Sequence, residues 1–233
     1  MARSDGNARA RSSTESAALR IAGETILPMV ENARRTRGGG RVLLGIAGPP
    51  GGGKSTMADA LVERLGPSAA VLPMDGFHLD NAILDVRGLR PRKGAPATFD
   101  VAGFAATLAR VRADRGTVIV PTFDRHLDLA RAGAREITPE HRTIVVEGNY
   151  LLIDEPPWPT IARMYDLKVF LAVPEAVVEA RILARWRLHG LDERAARTRA
   201  LENDVPNARL VLNSRGPVDV TLDEAGRRLD RRS

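Results

Sequence analysis

The stretch 48-GPPGGGKST-56 constrains the fold more than any other part of the chain. It sets four residues between Gly48 and Gly53 and follows the second with Lys54, Ser55 and Thr56. The apolar run 42-VLLGIA-47 precedes it and the helical pattern 55-STMADALVERL-65 follows it. A strand that turns through glycines directly into a helix is the setting that separates a P-loop from a chance match. Gly48, Gly51, Gly52 and Gly53 allow backbone N–H groups to turn inward around phosphates, and the helix N-terminus adds a favourable dipole. Lys54 then reaches the β and γ phosphates, the Ser55 hydroxyl can ligate Mg²⁺, and Thr56 completes the nucleotide site. The competing reading is a glycine-rich turn that binds nothing.

The rest of the chain alternates short apolar runs with helical patterns. Strands are predicted at 42–47, 70–74, 117–121, 143–148 and 167–173, rich in branched aliphatics and mostly without polar alternation, as for strands buried on both faces of a parallel sheet. Helices are predicted at 16–35, interrupted near Pro28, and at 55–65, 101–113, 175–188 and 192–202. The expectation is an α/β fold: a doubly wound parallel sheet of the P-loop NTPase kind, with helices on both faces and a small helical lid. Residues 1–15 are expected to lack structure and 16–233 to form a single kinase domain, since 233 residues bury one sizeable core.

Composition removes several function classes. There is no cysteine, which excludes disulfides, thiolate metal sites and cysteine nucleophiles and fits a reducing, cytoplasmic setting. No run approaches eighteen apolar residues and the N-terminal stretch has no apolar signal core, so neither secretion nor a membrane span is expected. The net charge of +6 comes from arginines interspersed with acids, which gives no case for a nucleic-acid partner. Lysine is scarce, occurring only as Lys54, Lys93 and Lys168, so its presence inside the glycine loop is informative. His78, His126, His141 and His189 show no metal-ligand spacing.

A P-loop specifies a nucleotide and leaves the reaction open. The chain lacks the Asn-Lys-x-Asp segment that reads guanine, and its second acidic strand, 144-IVVEGNYLL-152, ends in Glu147-Gly148 where motor-like ATPases carry Asp-Glu. Both absences point to a small-molecule kinase. Glu147 would hold Mg²⁺, directly or through water, or orient the acceptor; the alternative is an acid tolerated at a strand end.

The segment 75-DGFHLDNAILDVRGLRPRKGAPATFD-100 resembles the acceptor region of type I pantothenate kinases in order and spacing. The segment 121-PTFDRHLD-128 resembles the Pro-Val-Tyr-Asp element of uridine kinases and the Pro-Val-Tyr-Ser-His of pantothenate kinases, and 146-VEGNYLL-152 resembles their Glu-Gly strand end. The resemblance covers roughly residues 40–190 and extends to the phosphoribulokinase group. With 185-RWRLHGL-191 and 203-NDVPNARLV-211 included, the chain looks most like bacterial fructose-transport-system, or nucleoside/nucleotide kinase-like, kinases. The resemblance implies that Asp75 is the base that takes the acceptor proton, which an alcohol needs as its bond to phosphorus forms. Asp75 before Gly76 could instead cap a helix or close an Asx-turn. An ungapped match puts Arg125 where pantothenate kinases carry histidine, which weakens the case for pantothenate.

Lys93 is a candidate phosphate or substrate contact, or a solvated basic turn. Asp124 and Arg125 are candidates for acceptor hydroxyls, or a surface ion pair. Arg185 occupies the place of a lid arginine that would stabilise transferring charge. Asn203 and Asn207 could touch ligand or cap a helix, and Trp186 packs the lid. The expected activity is transfer of the γ-phosphoryl group of ATP, with Mg²⁺, to a hydroxyl of a small polar metabolite, a sugar or nucleoside. The alternatives are a pantothenate-like cofactor-precursor kinase and a P-loop regulatory protein that binds ATP without an acceptor. The expected partner is the acceptor itself, with no nucleic acid and no membrane, and the chain leaves room for a homodimer.

Overall fold

The computed structural model describes residues 12–229 of the chain. Its centre is a sheet of six strands: β1 (Val42–Ala47), β2 (Ala69–Pro73), β5 (Thr143–Gly148), β6 (Leu167–Leu171), β7 (Val220–Leu222) and β8 (Arg228–Leu229), ordered β2-β5-β1-β6-β7-β8. Every pairing is parallel except β7 with β8. The remaining strands, β3 (Val118–Asp124) and β4 (Leu129–Ile137), form a separate antiparallel hairpin. The helices are α1 (Ser13–Thr36), α2 (Lys54–Leu65), α3 (Asn81–Val86), α4 (Val101–Ala113), α5 (Trp158–Ala162), α6 (Glu175–Leu188), α7 (Glu193–Arg199) and α8 (Val205–Asn213).

Side chains alternate across the sheet, so neighbouring residues of β1 enter different cores. Leu44 and Ile46 pack with Ile26 and Val30 of α1 and Met57 and Leu61 of α2. Leu43 and Ala47 pack with Phe104 and Leu108 of α4, Tyr150 and Val211 of α8 on the other face. The doubly covered α/β sheet expected from the apolar strands is therefore present.

Four local expectations need correction. The helix expected to break near Pro28 runs unbroken from Ser13 to Thr36. Its buried stripe Ala22, Ile26 and Val30 rests on the sheet, and that packing outweighs the one backbone hydrogen bond a proline removes. The segment 1–15 expected to lack structure is helical from Ser13, with the Ser12 hydroxyl accepting from the Glu15 N–H as an N-cap; the remainder lies outside the described residues. The strand expected at 117–121 exists but does not join the parallel sheet. It pairs with β4, and its alternation of buried Val118, exposed Ile119 and buried Val120 shows one face only against the core. Finally, the helix expected to end at 202 continues through a π-helical turn, Ala200–Asp204, into α8.

The long connection 76–100 is an ordered excursion. A bridge between His78 and Phe99 and the bonds from Leu79 N–H to Thr98 and Asp100 N–H to Phe77 close its base. Asp80 caps α3 within it by accepting from the Ala82 N–H. Tyr150, just past β5, fastens its far side through a hydroxyl that donates to the Gly94 carbonyl.

Candidate active site

Three adjacent strands deliver three chemical groups to one edge of the sheet. The register puts Glu147 of β5 opposite Ile46 in β1 on one side and Pro73 in β2 on the other. One residue beyond Ala47 the P-loop begins, and two residues beyond Pro73 comes Asp75. Lys54, Asp75 and Glu147 thus meet at the carboxyl ends of parallel strands, where open α/β sheets bind ligands. They share a cleft of about 1150 Å³ that also takes in Ser55, Thr56, Arg125 and Arg185.

The glycine loop has the geometry its sequence demands. Gly51 and Gly53 have φ of 73° and 88°, a left-handed conformation open to glycine, and Gly53 is the residue from which α2 starts. Gly48 lines neither of the two cavities at the loop, and a Cβ there would stand 2.9 Å from the Leu171 carbonyl oxygen, so its missing side chain lets the loop pack on β6. Gly52 faces a second, adjoining cavity of about 440 Å³ together with Gly51, Gly53 and Thr56.

Lys54 is only 7% exposed and its ammonium donates to the Pro49 carbonyl at 2.9 Å. Burial lowers its pKa to about 8, against the raising influence of Glu147 and Asp75. Glu147, 6% exposed, is pushed up to about 7 by burial and by Asp75, with Lys54, Arg125 and a hydrogen bond from Ser55 opposing. Burial would also raise Asp75, but Arg125, His78 and Lys54 together hold its carboxyl below the usual aspartate value. Of the two carboxylates at the strand ends, Asp75 is thus the more acidic and Glu147 the more easily protonated.

Asp75 is neither a cap nor an Asx-turn residue. Its carboxylate accepts from Arg125 Nη2 at 2.8 Å, and no backbone N–H donates to it among the described residues. The backbone carbonyl of the same residue does the local work, accepting from the His78 N–H and lying 2.8 Å from His78 Nδ1. His78 in turn stacks between Phe99 and Phe123, with ring centroids 4.1 and 4.6 Å away, and burial lowers its pKa.

Two expected site residues are occupied elsewhere. The Asp124 carboxylate accepts from the His126 and Leu127 N–H groups at 3.0 and 3.1 Å, closing the turn between β3 and β4, and it does not line the cleft. Lys93 does reach the cleft, but its ammonium is spent on Asn81 Oδ1, the Asp128 carbonyl and the Asp128 carboxylate. Buried to 6% exposure, it ties the 76–100 excursion to the hairpin turn and is not a solvated basic residue. Arg125 leaves the same hairpin toward the cleft. Arg185 comes from α6, 3.6 Å from Asp204, with its guanidinium over the Trp186 ring.

Sequence reading missed Asp204. The π-helical turn that leads into α8 puts Asp204, with Asn207 of α8, on the cleft wall, and Trp186 Nε1 donates to Asp204 at 2.6 Å. Asn203 does not cap a helix: it lies in that turn and donates to the Lys93 carbonyl. Nothing in 200-ALENDVP-206 marks a widened turn except the proline that follows it.

The donor set suits Mg²⁺, a hard cation that takes oxygen ligands, keeps several waters and needs only one or two carboxylates beside phosphate. Ser55 and Glu147 line the same cleft and present oxygens to it.

No protein-family model matches the chain. Among curated proteins, an uncharacterized protein of Escherichia coli, YggC, is 35% identical over 194 residues, covering 80% of each chain. A candidate uridine kinase of Schizosaccharomyces pombe is 34% identical over 197 residues, covering 79% of this chain and 83% of that protein. Among solved structures, a candidate fructose transport system kinase of Silicibacter superposes with a TM-score of 0.77 at 45% identity, over 88% of this chain and 97% of that one. Among the described residues no helix is long and apolar enough to cross a membrane.

Proposed function

The chain belongs to the P-loop small-molecule kinases of the uridine kinase, pantothenate kinase and phosphoribulokinase group, and from that premise we propose that it moves the γ-phosphoryl group of ATP to a hydroxyl of a compact, sugar-like metabolite. The observation that carries this reading is the convergence of Lys54, Glu147 and Asp75 from three neighbouring strand ends on one cleft.

In this reading the P-loop N–H groups and Lys54 hold the β and γ phosphates, while the base end of the nucleotide extends into the adjoining cavity past Thr56. Asp75 faces the acceptor hydroxyl. As the acceptor oxygen bonds to the γ-phosphorus, its proton passes to Asp75, and the electron pair of the breaking bond stays on the bridging oxygen of ADP. The depressed pKa of Asp75 keeps it ionised and ready, while Arg125 orients it before the acceptor arrives. Arg185 supplies positive charge to the phosphoryl group in transit. Ser55 and Glu147 would hold Mg²⁺, which offsets phosphate charge when bound. Residues 16–233 act as one kinase unit.

An acceptor screen tests this. ATP consumption is followed across sugars, sugar derivatives, nucleosides and vitamin precursors, and product mass is checked for one added phosphoryl group. Stimulation by a hydroxyl compound with matching product is the expected result. Turnover that no acceptor changes, with ATP bound, would leave a regulatory ATP-binding protein as the reading.

A further inference from the structure

The acceptor half of the cleft carries more positive charge than its own carboxylates neutralise. Three of its cations are committed: Arg125 to Asp75, Lys93 to Asp128 and Arg185 to Asp204. Two others line the same cleft, Arg90 and Arg199. Among the described residues Arg199 makes no ion pair. Its guanidinium donates to the carbonyls of Pro91 and Lys93 and lies 5.3 Å from the Trp186 ring centre, which leaves N–H groups of its planar fork unused. Arg90 pairs with Asp85, which lies outside the cleft lining, and both partners are about half exposed. An exposed pair of that kind contributes little and exchanges readily for a ligand. Arg199 is anchored to the carbonyl of Pro91, the residue after Arg90, so both arginines line the cleft where the 76–100 excursion meets α7.

Resting on the kinase reading, we infer that the acceptor carries a negatively charged group, a carboxylate or a phosphate, in addition to the hydroxyl it presents to Asp75, and that Arg90 and Arg199 bind that group. Arginine forks match the oxygens of both anions, and a site with two of them would leave guanidinium charge uncompensated over a neutral sugar. The phosphates of ATP do not fill this role, because they are held by the P-loop and Lys54. The predicted acceptor class is thus a compact polyol acid or polyol phosphate.

The test uses matched pairs: each of several sugars and polyols is assayed beside its acid and its monophosphate. The anionic member is expected to be phosphorylated with a kcat/KM at least about tenfold above its neutral partner, and the acid and phosphate arms identify which anion is read. Arg90→Gln, on the exposed rim, should raise KM for the anionic acceptor by about ten- to a hundredfold, the loss of a charged hydrogen bond. Its kcat, its KM for ATP and its KM for a neutral acceptor should stay within about twofold. Arg199→Gln should do the same, with a lower thermal midpoint because it also releases the Pro91 and Lys93 carbonyls. A neutral sugar or nucleoside turned over as well as its anionic partner would overturn the inference and leave the kinase reading standing, as would an unchanged KM in Arg90→Gln. If no hydroxyl compound of either kind is phosphorylated, the kinase reading falls and the inference falls with it.

Discussion

Asp75→Asn separates chemistry from structure at the centre of the site. Asparagine keeps the shape of the side chain and an oxygen that can still accept from Arg125, but it cannot take a proton. The contact being weakened is an ion pair whose arginine is 55% exposed, so its share of stability is below about 1 kcal/mol. For a chain of 233 residues that shifts the thermal midpoint by less than about 4 °C. The backbone bonds that shape this corner use the Asp75 carbonyl, which the substitution leaves in place. Turnover should behave very differently. Loss of a general base costs ~10²–10⁴-fold, roughly 3–5 kcal/mol of transition-state stabilisation. The assay is kcat with the acceptor found in the screen, together with ATP affinity and the thermal midpoint of the same protein. The expected pattern is a collapse of kcat with the other two nearly unchanged. A fall in kcat of less than about tenfold would refute the assignment and pass the role to Glu147, since the Asp124 carboxylate is consumed in the hairpin turn.

Lys54→Met should abolish transfer and weaken ATP binding, read by turnover and calorimetry, because it removes the charge that faces phosphate from a side chain with 7% exposure. Tyr150→Phe leaves the Gly94 carbonyl without its donor and should lower stability by about 1–3 kcal/mol in denaturant titration, with a KM effect on acceptor larger than on ATP because the 76–100 excursion loosens. Gly76→Ala places a Cβ 2.6 Å from the Pro121 carbonyl oxygen, so the hairpin or Asp75 must move; kcat should fall by about 10² while ATP still binds. Burial depresses the His78 pKa, so its folded-state contribution is complete above the ordinary imidazole value and is lost as pH falls through the lowered one. The wild-type thermal midpoint should accordingly drop more between pH 7 and pH 5 than that of His78→Gln.

What could be read from the sequence follows from how local its causes are. The P-loop, β1 and α2 were legible because glycine conformation, a buried strand and a helix start are all written within residues 42–65. Asp75 and Glu147 were legible as candidates because each ends an apolar run, and strand ends are where this architecture binds ligands. Their mutual approach was not, since it depends on β5 lying between β1 and β2, a strand order that no local pattern states. The hairpin went unread for a related reason. In 117-TVIVP-121 the isoleucine at 119 looks like core, and only the partner strand shows it to be the outward face. One signal was available: 130-ARAGAR-135 alternates small apolar residues with arginine or glycine just after Asp124 and Asp128, which suits a strand paired across a turn.

That misplacement matters for chemistry because the hairpin sends Arg125 to Asp75, which the sheet delivers, on the side of the cleft proposed for the acceptor. Had β3 joined the parallel sheet, Asp124 would have ended a strand beside Asp75 and Glu147 as a third carboxylate. Instead the antiparallel turn consumes Asp124 in its own backbone, sends Arg125 to Asp75 and offers Asp128 to Lys93. One irregular connection thereby replaces a negative group at the acceptor site with a positive one and fixes the 76–100 excursion through Lys93. In the proposed site the P-loop and Asp75 rest on the sheet, while the residues around Asp75 are held by side chains reaching between loops. Substrate choice in this chain is therefore expected to respond to substitutions in 76–100 and 124–128 while ATP binding stays constant, and a swap of residues 124–128 that altered KM for ATP as strongly as KM for acceptor would show the two halves to be one unit.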